Sequence, residues 1–311
     1  MLEVIFTSAF MIDLLDSTLR MATPLTYVGL ACLISERSGI LNIGVEGMML
    51  SGAFAAAVVG LYSNSAWTGV GAAIIVGMLT GLLLAFLSVD LGADQIVSGL
   101  MINILWLGLS SFFARIIMRS EITKKLPGLG TWEVPLLEKI PYFGNLLFQR
   151  NPLTYVSYVM VIVLTFLLFK TAWGLSIRAA GEHPRAVDTA GISVTRLRYL
   201  CTISSGALAS IAGAFLSVGI VRFFTENMSA GRGFIGLIIV ILGKWHPVGV
   251  LLAALCFGFV DALQLRLQSF DVGNGFHFLI MLPYICGLIA VSGIVGRRYA
   301  PAALGLPYRK E

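Results

Sequence analysis

Long runs of apolar residues, separated by short polar segments, dominate the sequence from about residue 21 to residue 296. A helix needs ~20 predominantly apolar residues to cross the hydrocarbon core of a bilayer. The pattern therefore predicts an all-α, polytopic transmembrane helical bundle of about nine spans, within a range of roughly eight to ten. The predicted spans are about 21–35, 46–62, 67–89, 95–118, 153–172, 199–221, 230–243, 247–267 and 276–296.

No long polar stretch divides this pattern, so we expect residues 1–311 to form a single transmembrane domain. Residues 1–20 carry Asp13 and Asp16 among apolar positions, which favours an interfacial N-terminal segment over a span. Closely spaced glycines indicate a broken or re-entrant helix near 39–47, just before the second predicted span.

The polar segments differ in charge, and this predicts their side of the membrane. Segment 173–198 holds four arginines, and the tail 297–311 holds three arginines and a lysine. Short basic segments stay in the cytoplasm, so we expect both on that side. Segment 119–151 then forms an extracytoplasmic loop, although it also carries basic residues.

Composition supports a membrane protein and excludes most other classes. Hydrophobic residues make up 58% of the chain and charged residues 12%, with a mean hydropathy of +0.91. Soluble domains carry about 25% charged residues. The net charge of +5 fits basic cytoplasmic loops better than nucleic-acid binding, because no solvated basic and aromatic patch occurs.

The sequence lacks the common motifs of enzymes and of ATP binding. It contains no GxxxxGK[ST] loop, and Trp245 follows Gly243-Lys244 where a hydroxyl residue would be needed. GxSxG and HExxH are absent as well. The four cysteines stand alone in apolar runs. We therefore expect a protein without its own ATP site, catalytic residues, metal or cofactor.

Segment 173–198 holds a short punctuated helix. Pro184 suits the first turn of a helix that runs to Ala190, and Gly191 stands where a C-cap glycine belongs. An exposed helix this short is costly unless it docks against something. The residues leave two interpretations open: a docking element for a cytoplasmic partner, or a charged loop that sets topology.

Two polar residues fall within apolar spans. Glu46 lies at the start of the second span, where a carboxylate is expensive and must face protein or water. It is favoured as a structural acceptor, capping the amides of a broken helix or pairing with Arg37, and it could instead line a solute path. Asn103 in the fourth span is favoured as a link between helices, and it could also contact a polar solute.

Two further residues are candidates for the solute path. Arg232 stands between Gly231 and Gly233, which indicates a break or re-entrant turn before a short helix. The amides of that helix could face an anionic or polar group, and an ordinary loop with an interfacial arginine explains the string equally well. Asn42 belongs to the same string as Glu46.

Four strings in a fixed order resemble permeases of binding-protein-dependent ABC importers. They are ERSGILNIGVEGMMLSGAF (36–54), DQIVSGLMINILWLG (94–108), GLSIRAAGEHPRAVDTAGIS (174–193) and SAGRGFIGLIIVILGKWHP (229–247). They are similar to the branch that includes branched-chain amino-acid and simple-sugar permeases, and NIGVEGMM and SAGRGFI look most like nucleoside-uptake permeases.

The resemblance implies a role for segment 174–193. It matches the family's coupling loop, which docks on the ATPase, although Ala186-Val187-Asp188 replaces the paired alanines common there. The coupling residues implied are Arg178, Ala179, Gly181, Glu182, Pro184, Ala186, Ala190 and Gly191. The solute-path candidates remain Asn42, Glu46, Asn103 and Arg232.

The resemblance also implies partners and a substrate. These are a cytoplasmic ABC ATPase, a second and different permease chain, an extracytoplasmic substrate-binding lipoprotein and a nucleoside, in a bacterial cytoplasmic membrane. Aromatic residues that could meet a base are Trp106, Phe223 and Phe224. The alternatives are a simple sugar, a branched-chain amino acid, an ion-coupled transporter that uses Glu46 and Asp261, and an intramembrane enzyme.

Overall fold

A computed structural model describes residues 8–118, 125–133, 149–268, 276–293 and 300–308, which include eleven α-helices. The helices are α1 Ser8–Arg37, α2 Val45–Ser63, α3 Ala66–Ala85, α4 Gln95–Ile117, α5 Pro152–Lys170, α6 Ala172–Glu182, α7 Pro184–Thr189, α8 Val194–Ala214, α9 Arg232–Leu242, α10 Pro247–Gln268 and α11 Phe276–Gly293. Two π-helical segments, Phe86–Asp90 and Phe215–Val221, extend α3 and α8. The strands β1 Trp132–Glu133 and β2 Gln149–Arg150 pair antiparallel, with Trp132 opposite Arg150.

Local sequence explains where several helices begin. The Asp94 carboxylate accepts hydrogen bonds from the amides of Ile96 and Val97 at 2.8 and 3.0 Å, and so caps α4. The Asn151 side chain accepts from Leu153 N at 3.0 Å, and Pro152 occupies the first turn of α5. Side-chain acceptors of this kind satisfy amides that the helix itself leaves unpaired.

Six helical segments of the described residues are long and apolar enough to cross a membrane. They are Val45–Ser63, Ala66–Asp90, Gln95–Ile117, Pro152–Lys170, Val194–Val221 and Pro247–Gln268. The other three predicted spans coincide with α1, α9 and α11, so the all-α bundle is confirmed and the count of about nine is not. Helix α9 has only 11 residues, which rise ~16 Å, about half the ~30 Å hydrocarbon core.

Helix α1 joins two segments that the sequence pattern separates. It runs unbroken from Ser8 to Arg37 through Pro24, so the interfacial segment expected at 1–20 and the span expected at 21–35 belong to one helix. Pro24 is accommodated within this helix. No boundary therefore lies at residue 20 in the structure.

Small residues bring α2, α3 and α8 into close contact at the centre of the bundle. A Cβ built on Gly213 of α8 would lie 1.8 Å from the carbonyl oxygen of Met49, and one on Gly206 would lie 2.1 Å from that of Gly77. Because these are backbone contacts, larger residues would force the helices apart. The small residues of α8 therefore pack against protein and not against lipid.

The predicted break near 39–47 is present between α1 and α2. Residues 38–44 are not helical, and α2 begins at Val45. Gly39 has a φ of +94°, which an L side chain rarely adopts. Ser38 and Asn42 are both fully buried. Irregular backbone in a bundle of membrane helices needs partners for its polar groups, and the break is buried against protein.

Candidate coupling surface and solute path

Helices α6 and α7 form the surface that carries the predicted coupling residues. Thr171 caps α6, its hydroxyl accepting from Gly174 N at 3.1 Å. Pro184 opens α7 after a single connecting residue. Gly191, with a φ of +81°, closes the turn, as its amide donates to Asp188 O at 2.9 Å. The predicted helix from Pro184 to Ala190 is confirmed, with Ala190 as its cap.

An exposed apolar groove separates the two helices. Its cavity volume is about 330 Å³, and its walls include Leu175, Ala179, Ala186, Ala190 and Ile192. The predicted coupling residues differ in burial. Those exposed are Glu182, Ala186, Ala190 and Gly191; those half-buried are Arg178, Ala179 and Pro184; Gly181 is buried.

Gly181 anchors α6 to the end of α1. A Cβ on this residue would lie 2.3 Å from the carbonyl oxygen of Arg37. The backbones can therefore approach only because position 181 has no side chain. This close contact gives displacement of α6 a direct route to α1.

A stack of side chains joins α6 to three other elements. The Arg178 guanidinium lies over the Phe169 ring at 4.9 Å, and that ring lies 4.6 Å from the His246 ring. Arg37 Nε donates to Trp245 O at 2.9 Å. Burial and the neighbouring Arg37 lower the pKa of His246. The stack thus connects the coupling surface to α1, α5 and the α9–α10 turn.

Glu46 caps the half-length helix α9. Its carboxylate accepts hydrogen bonds from Gly231 N at 2.7 Å and from Gly233 N at 2.5 Å. A Cβ on Gly233 would lie 2.6 Å from Glu46 Cα, so the glycine permits this approach. The predicted anionic group facing the amides of α9 is thus Glu46 itself, which matches the favoured structural role.

Asn103 ties α4 to the break and to α2. Its Oδ1 accepts from Gly47 N at 2.7 Å, and its Nδ2 donates to Ile43 O at 2.9 Å. Asn42 lies nearby, fully buried, and donates to Ser205 Oγ on α8 at 2.8 Å. Both amides therefore act as links between helices in this conformation.

Arg232 lies apart from Asn42 and Asn103. Its guanidinium turns back toward the carbonyl oxygens of Met228 and Ser229, each at 3.5 Å. It lines a cavity of about 160 Å³ together with Asp261, Gln264 and Tyr284. Asn42, Glu46 and Asn103 therefore lie in or beside the first turn of α2, and Glu46 links them to the start of α9, where the Arg232 side chain points to a cavity of its own.

The three aromatic candidates have different surroundings. The Trp106 indole donates to Thr80 Oγ1 at 3.0 Å. Phe224 is buried in an edge-to-face contact with Phe54, with ring centroids 5.5 Å apart. Phe223 is 42% exposed. Of the three rings, Phe223 is the most accessible in this conformation.

A polar cavity of about 290 Å³ lies where the first half of α1, the start of α5 and the π-helical segment after α8 meet the β-ladder. Arg150 and Asp16 line it and form an ion pair at 2.7 Å. Arg20, Arg222 and Thr154 contribute further polar atoms, and Phe215 contributes an apolar wall. This cavity can accept a polar solute or an acidic side chain.

The sequence pattern missed two buried groups near the coupling surface. Glu36 is 2% exposed and accepts from the Trp245 indole at 2.5 Å. Arg198 is 1% exposed, at the start of α8. Both could have been flagged as charges beside apolar spans, as Glu46 was. Their partners lie far away in sequence, so spacing could not reveal them.

Taken together, a bundle of apolar helices, six of them long enough to cross a bilayer among the described residues, defines a polytopic membrane protein. The profile of the branched-chain amino acid transport system permease component family matches residues 14–284. The chain belongs to this family.

Several curated relatives match most of the chain. The guanosine ABC transporter permease protein NupQ of Bacillus subtilis is 38% identical, covering 96% of each chain. A glucose ABC transporter permease protein, TsgC13 of Haloferax volcanii, is 38% identical over 85% of this chain and 80% of its own. The nucleoside ABC transporter permease protein NupC of Lactococcus lactis is 34% identical over 93% and 94%.

Two further comparisons concern partners and fold. NupP, also a guanosine ABC transporter permease protein of Bacillus subtilis, is 29% identical over 81% of this chain and 74% of its own. A chain of an inward-facing metal-chelate type ABC transporter aligns with a TM-score of 0.50 at 16% identity, covering 89% of this chain and 84% of that one. At that identity the likeness shows the fold alone.

Proposed function

We propose that this chain is the permease subunit of an ATP-binding-cassette importer that carries nucleosides across the bacterial cytoplasmic membrane. The observation that carries the proposal is the near-full-length similarity to two permease proteins whose names specify guanosine and nucleosides. The helical bundle, with the partly exposed helix pair α6–α7, supports the same assignment.

Energy comes from a separate subunit in this proposal. The sequence contains no phosphate-binding loop, so ATP is bound by a cytoplasmic ATPase that docks on α6 and α7. The exposed residues Glu182, Ala186, Ala190 and Gly191 form the docking surface, and the apolar groove beside them receives apolar side chains of the ATPase. ATP binding displaces α6, and the close contact at Gly181 passes the displacement to α1.

A second, different permease chain completes the path. NupQ and NupP are both guanosine permease proteins of one organism, which supports a pair of related chains. Solute delivered by an extracytoplasmic binding lipoprotein passes between them, and ATP binding shifts the bundle between outward- and inward-open states. In this conformation Glu46 is engaged by two amides, which favours ATP over an ion gradient as the energy source.

Competition uptake tests the substrate. Cells that take up labelled guanosine through the complete transporter receive excess unlabelled guanosine, uridine, ribose, glucose or leucine. We expect only the two nucleosides to inhibit uptake. Inhibition by glucose or ribose alone would favour the second candidate, a simple sugar, which the similarity to the glucose permease supports. The absence of any nucleoside effect would refute the first.

A further inference from the structure

The C-terminal strap, defined as residues 300–308, lies across the two coupling helices. Ala303 N donates to Gly181 O at 2.8 Å, and Ala302 N donates to the Glu182 carboxylate at 3.1 Å. Further along, the Tyr308 hydroxyl donates to the Asp188 carboxylate at 3.2 Å. The strap therefore contacts the C-terminal ends of both α6 and α7.

The opposite side of the strap contacts the break between α1 and α2. Gly305 N donates to Gly39 O at 3.1 Å. Leu306 O accepts from Arg198 Nη1 at 3.1 Å. Ala303 is 6% exposed, so this part of the strap is packed against the bundle and not loosely laid on it.

Arg198 joins the strap to the break. Besides Leu306 O, it contacts Ser38 O through Nε at 3.3 Å. Its Nη2 has no hydrogen-bond partner among the described residues, and a Cβ on Gly39 would lie 2.8 Å from that atom. One acceptor, Ser38 O, lies just beyond the C-terminal end of α1, where the helix dipole favours a cation, and the other, Leu306 O, belongs to the strap. A buried cation held this way depends on the strap remaining in place.

The contact with α7 is less close than the contact with the break. A cavity of about 530 Å³ separates much of the strap from α7, with His183, Arg185, Pro307 and Tyr308 among its walls. The Tyr308–Asp188 hydrogen bond crosses this space and gives movement of α7 a path to the strap.

We propose that the C-terminal strap is a positioning element that transmits displacement of α6 and α7 to the break at residues 38–44. This inference rests on the proposed function, since it needs an ATPase to displace the coupling helices. The strap offers a second route, beside the Gly181 contact, from the docking surface to the segment that contains Asn42 and precedes Glu46. A strap that only braces the fold would make the same contacts, but weakening it would not change how the break responds to ATP.

Hydrogen–deuterium exchange on the complete transporter in lipid nanodiscs distinguishes a strap that transmits movement from a strap that only braces the fold. The quantity measured is the change in deuterium uptake of peptides covering 38–44 when ATP and vanadate are added. We expect Tyr308→Phe to reduce this change about threefold, because one partly exposed hydrogen bond of modest strength is lost. Arg198→Lys should do the same, since lysine lacks the fork of donors that reaches both carbonyls.

Tyr62→Phe is the matched control. The Tyr62 hydroxyl donates to Ile117 O at 3.1 Å, away from the strap, so this variant should respond to ATP as the wild type does. An unchanged ATP response in both strap variants overturns the proposal and leaves the proposed function intact. A wild-type transporter whose break does not respond to ATP overturns both. The readout does not depend on the identity of the solute.

Discussion

At the scale of single residues, the buried carboxylate of Glu46 shows how this chain manages polar groups within apolar helices. It lies in the first turn of α2 and satisfies two amides at the start of α9. Those amides would otherwise lack partners inside the bundle. One side chain thus fixes the position of a half-length helix relative to the centre of the fold.

Replacing Glu46 with glutamine tests this role. A glutamine side chain offers one acceptor oxygen and an NH₂ group, so one of the two amides would face a donor. We expect Glu46→Gln to destabilise the fold by about 1–3 kcal/mol, the cost of an unsatisfied buried donor. The measurement is the thermal unfolding midpoint of the purified protein in detergent.

Glu226→Gln provides the matched control. Glu226 pairs with Arg115 at 2.9 Å, and both side chains are largely exposed. The same chemical change there should leave the midpoint unchanged. Equal midpoints for Glu46→Gln and Glu226→Gln would show that the cap on α9 has no structural importance.

The sequence identified Glu46 and Asn103 because polar groups within apolar spans are unusual. It could not supply their partners, since Gly231 and Gly233 lie far from Glu46 along the chain. For the same reason the sequence does not indicate the buried role of Arg198, whose acceptors are backbone carbonyls of two distant segments. Backbone partners leave no residue-specific signal in a sequence.

At the scale of elements, the pair α6–α7 is where sequence and structure agree most closely. Pro184 and Gly191 mark the start of α7 and the turn after it, because each residue has a strong local conformational preference. In helix α1 no such residue marks a boundary, and the sequence did not show that the segment with Asp13 and Asp16 continues into the following helix. Tertiary packing supports this part of the helix, since Phe10 and Leu14 are buried with Ala262 of α10.

Two substitutions test whether α6 couples to an ATPase. Gly181→Pro interrupts α6 and places a side chain against Arg37 O, and Glu182→Arg removes the acceptor of Ala302 N. We expect each to lower the solute transported per ATP hydrolysed. The effect of the proline should be roughly tenfold or more, since a proline inside a helix costs about 3 kcal/mol. Both variants should still insert into the membrane.

The control for the glycine change is Gly71→Ala on α3. A Cβ on Gly71 meets nothing within 4 Å, so transport and ATP hydrolysis should match the wild type. Normal coupling in both α6 variants would contradict the docking role of this surface. Loss of the protein from the membrane would instead indicate a role in folding.

At the scale of the whole molecule, burial separates a central helix from peripheral ones. In the most apolar stretch of α2, 83% of the residues are buried in the bundle, whereas 22% are buried in the corresponding stretch of α4. The exposed face of α4 includes Leu100, Met101, Ile104 and Ile116. An apolar face of this kind suits lipid or a second permease chain. The pattern of apolar runs predicts the bundle, but not which helix lies at its centre, because both kinds of helix are apolar.

The most direct test of the account is the dependence of uptake on the ATPase subunit. Uptake of labelled guanosine is measured in cells with the complete transporter and in cells that lack only the ATPase. The account predicts that uptake through this permease falls to background without the ATPase, because the chain contains no ATP-binding loop of its own. Uptake that continues unchanged without the ATPase would contradict it.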